Sequence, residues 1–315
     1  MARLPSGVLS SALMLTAVLC SSKPCSGQDV NTLSNGPLGY WKFESSIGAE
    51  VPDYSGHGND GEIFPAAAAS LVQRSGAFAG ALSFVGDSSH FVRISPTPLL
   101  NSLRKQITVV ALIYPTTLWK PPTPFRRRIL KLRQKWYEVV YYIHQMLAKN
   151  PEDQPPDLAP TGFAAIVQRQ WRETRHPDQF YLGYGLRNKV LHYKWHIALT
   201  DGSDISLYCL PNGEEKPRSA EWVQLAGTYD GISGRMSLYV NGKLIGSLAH
   251  PGEIRLDAES RSRPITIGAE LNGPSTDQGN GEFSGYIHDV RLYNRALSDD
   301  EIKVLAAEAE VRLAQ

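Results

Sequence analysis

Apolar and polar residues alternate along most of the chain in short runs of period two, the signature of strands with one buried face. VLHYKWHIAL (190–199) is the clearest case. Leu191, Tyr193, Trp195 and Ile197 point one way, and His192, Lys194 and His196 the other. ITVVALIY (107–114) is apolar almost throughout and reads as a strand buried on both faces. FAAIVQR (163–169) and QFYLGYGL (179–186) are further strands, and LGYWKFE (38–44) opens the series. ALSFVG (81–86) and HFVRIS (90–95) flank a Gly-Asp-Ser-Ser stretch and predict a hairpin. WVQLAGTYD (222–230), RMSLYVNG (235–242) and KLIGSLA (243–249) predict a meander, the last turn made by Asn241-Gly242. PITIGAE (264–270) and FSGYIHDVRLYN (283–294) complete the strands. Many short strands joined by turn signals predict an all-β fold, a two-sheet antiparallel sandwich or jelly roll.

Two segments break this pattern. Residues 298–314, SDDEIKVLAAEAEVRLA, predict a C-terminal helix. Ser298 caps it, Glu301 completes a capping box, and Ile302, Leu305 and Val311 form its apolar stripe. Residues 119–160 carry proline-rich ends around a run with Ile129, Leu132, Trp136, Ile143 and Met146 at helical spacing. They predict a helical insertion between two strands. The insertion begins with Arg126, Arg127, Arg128, Lys131, Arg133 and Lys135. That basic burst, residues 126–135, reads either as a polyanion or membrane-surface contact or as the solvated face of a docked helix.

The N-terminus changes the compartment. Arg3, then VLSSALMLTAVLC (8–20), then SSKPCSGQ has the outline of a secretory signal peptide. Residues 1–27 are expected to be removed and 28–315 to form one domain, secreted into an extracellular or periplasmic space. No later segment is apolar and long enough to span a bilayer. Of the three cysteines, Cys209 alone would remain, so the mature chain is expected to be disulfide-free, with Cys209 buried and inert. A net charge of +1 gives no reason to expect a nucleic-acid partner.

The blocks GYWKFE, DYSGHGNDG, ALSFVGDSSHFVRI, ITVVALIYP, EWVQLAGTYDGISGRMSLYVNGKLIG, PITIGAE and FSGYIHDVRLYNRALSDDEI, taken in order, resemble the laminin-G-like jelly-roll domains of the concanavalin A-like superfamily. The resemblance implies a jelly-roll sandwich and a binding role more often than catalysis, with carbohydrate or extracellular protein as partner. The 119–160 segment departs from it, lying where the family has a short loop.

DYSGHGNDG (53–61) crowds glycines, carboxylates and an amide together. Calcium takes such hard oxygens, and Asp53 and Asn59 offer them. The resemblance brings Glu44 and Asp289 toward the same loop, which implies a structural calcium. The alternative is that Asp53 and Asn59 cap turns and that Glu44 or Asp289 pairs with an arginine such as Arg291. His192 and His196 are about 13 Å apart at ~3.3 Å per residue, too far for one metal ion. With Lys194, Trp171 and Tyr184 they instead outline a candidate carbohydrate surface. No nucleophile-elbow, zinc-protease or phosphate-loop motif is present. The overall expectation is a non-catalytic binding module, with an interaction module using the insertion, or a sandwich-fold glycosidase, as alternatives.

Overall fold

The computed structural model describes residues 36–44, 48–66, 80–85, 90–116, 164–170, 178–188, 190–210, 217–271, 279–280 and 283–313. The expected signal segment (1–27), the expected helical insertion (119–160) and Trp171 lie outside them.

The strands assemble into two antiparallel sheets. The first runs β1 (Gly39–Lys42), β17 (Ser284–Tyr293), β6 (Gln106–Pro115), β11 (Val223–Asp230), β12 (Arg235–Val240) and β13 (Lys243–Ala249), with β4 (Leu82–Val85) also paired to β17. The second runs β10 (Asp204–Cys209), β9 (Val190–Ala198), β8 (Asp178–Arg187), β7 (Ala164–Gln170), β14 (Ile265–Ile267), β5 (Phe91–Ile94), β3 (Gly61–Phe64) and β2 (Glu50–Val51). A small pair, β15 (Glu270–Leu271) and β16 (Gly279–Asn280), stands apart. This is the two-sheet sandwich the alternation predicts. The chain changes sheet at β5–β6, β6–β7, β10–β11 and β13–β14, among others, which is why neighbours such as β17–β6 and β7–β14 are not consecutive.

The core lies between the sheets. Trp41, Trp195, Ile197, Val109, Ala111, Ile113 and Leu225 are fully buried there. Trp195 lies flat on the backbone of Gly227 in the facing sheet, where an added Cβ would sit 2.4 Å from the indole. The indole N–H donates to the Thr228 carbonyl at 3.1 Å. The glycine is there to admit the ring. Within β6, Val109, Ala111 and Ile113 face this core, while Val110 turns outward. There it meets helix α2 (Asp299–Leu313), which packs through Ile302 against Ala226, Tyr239, Tyr293 and Leu297. The strand is buried on both faces, as its composition predicts. A one-turn helix, α1 (Ala258–Ser262), precedes β14. No helix among the described residues is long and apolar enough to cross a membrane.

Three expectations are corrected. β4 and β5 do not form a hairpin: β4 pairs with β17, and β5 with β3 and β14 in the other sheet. A turn signal reports only sequence neighbours, and long-range pairing overrides it. The helix stripe is Ile302, Leu305, Ala306 and Ala309, with Val311 60% exposed. Val311 is nine residues past Ile302 and so on the opposite side of a helix that turns about 100° per residue. Cys209 is half-buried on β10 and not fully enclosed. Its Sγ packs against Gly246, and burial pushes the thiol up.

Candidate functional site

The outer face of β8, β9 and β10 gathers the predicted polar residues of the second sheet. The register sets Tyr181 beside His196 and Ser206, Gly183 beside Lys194 and Tyr208, and Gly185 beside His192. Tyr181 lies along its own strand over Gly183, its hydroxyl donating to the Tyr184 carbonyl at 2.8 Å. A side chain at position 183 would strike the Ala164 carbonyl and crowd that ring. The Lys194 ammonium then sits 4.6 Å from the Tyr181 ring centre and 5.8 Å from that of Tyr208. The Arg187 guanidinium also lies 5.8 Å from the Tyr208 ring. His192 stands edge-on to Tyr208 at 6.4 Å, its Nδ1 at 2.9 Å from the Val190 carbonyl. His196 Nδ1 is 2.8 Å from Ser206 Oγ. Each cation–aromatic contact stabilises by about 0.5–2 kcal/mol, more where water is excluded. Lys194 and His196 are largely buried, whereas His192 and Tyr208 are half-exposed and Arg187 is open.

Glu270 of β15 comes within electrostatic reach of Lys194. Burial pushes its carboxyl up from the ordinary value, and the lysine charge pulls the other way. The face carries a cation held between two aromatics, two imidazoles and a hydroxyl, with the Glu270 carboxyl within electrostatic reach of the cation.

Of the predicted ligand residues, His192, Lys194 and His196 meet on this face. Tyr184 does not. It pairs with Tyr193 and points into the core, 1% exposed and stacked on Phe283. Tyr181, Ser206, Tyr208 and Glu270 are the additions. Tyr181 was legible by alternation, since Phe180, Leu182 and Tyr184 share the inward phase. Tyr208 needed the strand order, which pairs it with Lys194.

The four predicted calcium ligands fall into two groups, Asp53 with Asn59 and Asp289 with Glu44 about His288. Asp53 Oδ1 accepts the backbone N–H groups of Tyr40 and Ser55, both at 2.9 Å. Its Oδ2 accepts Ser55 Oγ–H at 2.7 Å and the Asn59 N–H at 2.9 Å. Asn59 donates its amide to the Leu38 carbonyl and accepts from Thr97 Oγ1, both at 2.8 Å. Asp289 is buried on the outer face of the first sheet, where Arg312 of α2 donates to it and to the Tyr40 hydroxyl. Arg291 donates instead to Glu308 and to the Tyr40 hydroxyl. Glu44 faces His288 Nε2 at 3.8 Å. Burial pushes that imidazole below its ordinary value, with Asp289 opposing the shift. Among the described residues no group of three or more His, Cys, Asp or Glu is arranged to hold a metal. Donors already fill the Asp53 oxygens, so the four residues as placed do not fit a shared calcium.

Residues 156–303 match the family model for the concanavalin A-like lectin/glucanases superfamily, of the laminin-G type. Mouse pentraxin-related protein PTX3 is 32% identical over 115 residues, a match spanning 32% of this chain and 29% of the pentraxin. Among solved structures, the binding domain of Paraclostridial Mosquitocidal Protein 1 aligns over 88% of this chain and 53% of its own, at 13% identity and TM-score 0.53. The receptor binding domain of botulinum neurotoxin D aligns over 88% and 54%, at 14% identity and TM-score 0.52. Trypanosoma rangeli sialidase aligns over 87% and 33%, at 14% identity and TM-score 0.50. The chain thus spans about half the length of the two toxin domains, and these likenesses show a shared fold.

Proposed function

We propose that this chain, laminin-G-like over residues 156–303, is a non-catalytic carbohydrate-binding module whose ligand rests on the outer face of β8–β10. The observation that carries the reading is the Lys194 ammonium held between Tyr181 and Tyr208, with His192 and Arg187 beside the half-exposed Tyr208 ring. Sugars bind where a flat aromatic meets the C–H face of the ring and fixed polar groups meet its hydroxyls. Of the three solved structures named above, two are binding domains and one is an enzyme. The fold serves both roles, so the site must decide.

The carboxylates favour binding over hydrolysis. A glycosidase needs two carboxyl groups facing one bond, roughly 5–10 Å apart. Asp289 is tied to Arg312, Glu44 looks onto His288, and Glu270 faces a lysine. Action outside the cell belongs to the same reading and rests on the signal-like run at 1–27.

The test is a glycan array probed with the full chain. Saturable binding to a defined sugar class is expected. Tyr208→Ala should weaken it about tenfold, the loss of ~1.4 kcal/mol of stacking, and His192→Ala should weaken it less. Absence of saturable binding to any glycan would overturn the reading, as would polysaccharide turnover.

A further inference from the structure

A second polar hollow lies on the opposite sheet, between α2 and the β12–β13 hairpin. It is an open groove of about 510 Å³ whose walls include Asn241, Lys243, Asp299, Lys303 and Glu310, with Ala306 in its floor. It adjoins a deeper recess of about 100 Å³ formed by Leu112, Trp222, Gln224 and Leu313, which shares Asn241, Ala306 and Glu310 with the groove. The groove falls within the ~300–1,000 Å³ of small-molecule sites. Its shape follows from the helix contact. Alanines 306 and 309 let α2 approach the sheet, and Gly242 lets the hairpin turn pass under it, where an added Cβ would come within 3.0 Å of Ala306.

Gln224, one of the residues lining the recess, carries an unanswered acceptor. Gln224 is 5% exposed, and its Oε1 is buried without a hydrogen-bond partner. An unpaired buried amide oxygen costs about 1–3 kcal/mol, so a donor that reaches it gains strongly. Beside it, Asn241 Oδ1 accepts the Gln224 backbone N–H at 2.8 Å, which leaves the Asn241 amide nitrogen to donate. Trp222 stands half-exposed at the same recess, its indole held edge-on by Tyr114 at 5.4 Å and by His288 at 6.1 Å. The charged walls balance: Lys243 and Lys303 against Asp299 and Glu310.

We propose that this groove is a second binding site, for a short neutral saccharide, with one sugar ring against Trp222 and a hydroxyl donating to Gln224 Oε1. A buried acceptor calls for an O–H or N–H donor. A fixed indole calls for a flat C–H face. Balanced walls disfavour a net charge. A hydroxyl-rich ring meets all three. The site does not rest on the β8–β10 surface and lies on the other sheet, so one chain can hold two sugar strands at once.

The experiment titrates the full chain with maltotriose, cellotriose and xylotriose, reading fluorine NMR of fluorotryptophan-labelled protein. Trp222→Phe identifies the Trp222 resonance. At least one trisaccharide should shift that resonance saturably, in the millimolar range or tighter. Gln224→Leu should weaken that response roughly tenfold while leaving the chain at least as stable, because it removes the unpaired oxygen. Ala307→Trp, at an exposed helix position lining the groove, should block the response without unfolding the protein. Tyr208→Ala should leave it intact. No saturable shift with any of the three sugars overturns the site. So does a shift that survives Gln224→Leu and Ala307→Trp. Binding lost only in Tyr208→Ala overturns this site while leaving the other standing.

Discussion

Replacing Asp53 by alanine should destabilise the sandwich by about 3 kcal/mol, with or without calcium. Its carboxylate accepts three backbone N–H groups, those of Tyr40, Ser55 and Asn59, and one hydroxyl. Hydrogen bonds to a charged acceptor contribute about 1.5–3 kcal/mol each where buried. These are partly exposed, and water can reach the abandoned donors. At ~1 kcal/mol for each backbone bond the loss is about 3 kcal/mol. Asp53→Asn keeps one acceptor oxygen and should lose about half as much. The assay is urea unfolding of the full chain, followed by tryptophan fluorescence in calcium and again in chelator. At an m-value of ~3 kcal/mol/M the midpoint should fall by about 1 M in both buffers. A loss under ~1 kcal/mol would show that the bonds contribute little. A loss seen only in calcium would refute the reasoning, because a cation would then be holding the loop.

Other perturbations test other parts of the frame. Arg312→Leu leaves the buried Asp289 carboxylate without its main partner, and urea unfolding should register about 2 kcal/mol, less than a fully buried pair because Arg312 is partly exposed. Adding Asp289→Leu should recover much of that loss; a double variant as weak as the single one would contradict the pairing. Gly227→Ala drives a methyl into Trp195 and should cost ~2 kcal/mol, so an unchanged thermal melt would mean that the ring slides aside freely. Burial raises the Glu270 carboxyl, so the folded chain holds its proton more tightly than the unfolded chain. Stability from this group is present below the ordinary value of 4.5 and is lost as pH rises through the raised folded value. His288 works on the acid side, its stability present above 6.5 and lost as pH falls through its depressed value. Comparing melts of the parent chain and Glu270→Gln over that range isolates the first slope; identical profiles would exclude it.

Much of the frame was legible because local chemistry and pairing agree. The β9 alternation placed Tyr193, Trp195 and Ile197 inside correctly. Asn241-Gly242 takes the positive φ values, 48° and 73°, that a tight hairpin demands. Ser298 and Glu301 exchange their capping hydrogen bonds. What failed depends on partners distant in sequence. Nothing between Ala81 and Ser95 says that β4 will join β17 while β5 joins β14. The ligand face was half legible for the same reason: His192, Lys194 and His196 lie on one strand, but Tyr208 arrives from β10 and Glu270 from β15. His288 is subtler. The register of β17 against β6 shifts between Ile287 and Asp289, so a strict period of two loses phase there.

The glycine-rich loop shows why composition alone does not decide for a metal. Carboxylate and amide oxygens suit calcium, but they suit backbone N–H groups equally well, and a sequence does not count the donors. The fold does. β1 ends the first sheet, bonded on one side to β17 and open on the other. An open edge leaves N–H and C=O groups unpaired. Asp53 forms a bridge with Trp41 and accepts the Tyr40 N–H, and Tyr54 N–H donates to the Tyr40 carbonyl at 2.7 Å. Asn59 answers the Leu38 carbonyl with its side chain and the Trp41 indole with its own carbonyl. The loop thus supplies, group by group, what a further strand would have supplied to β1. A cation drawn to the Asp53 oxygens would have to displace those donors and reopen the edge, so the residues best suited to calcium are the ones the strand needs.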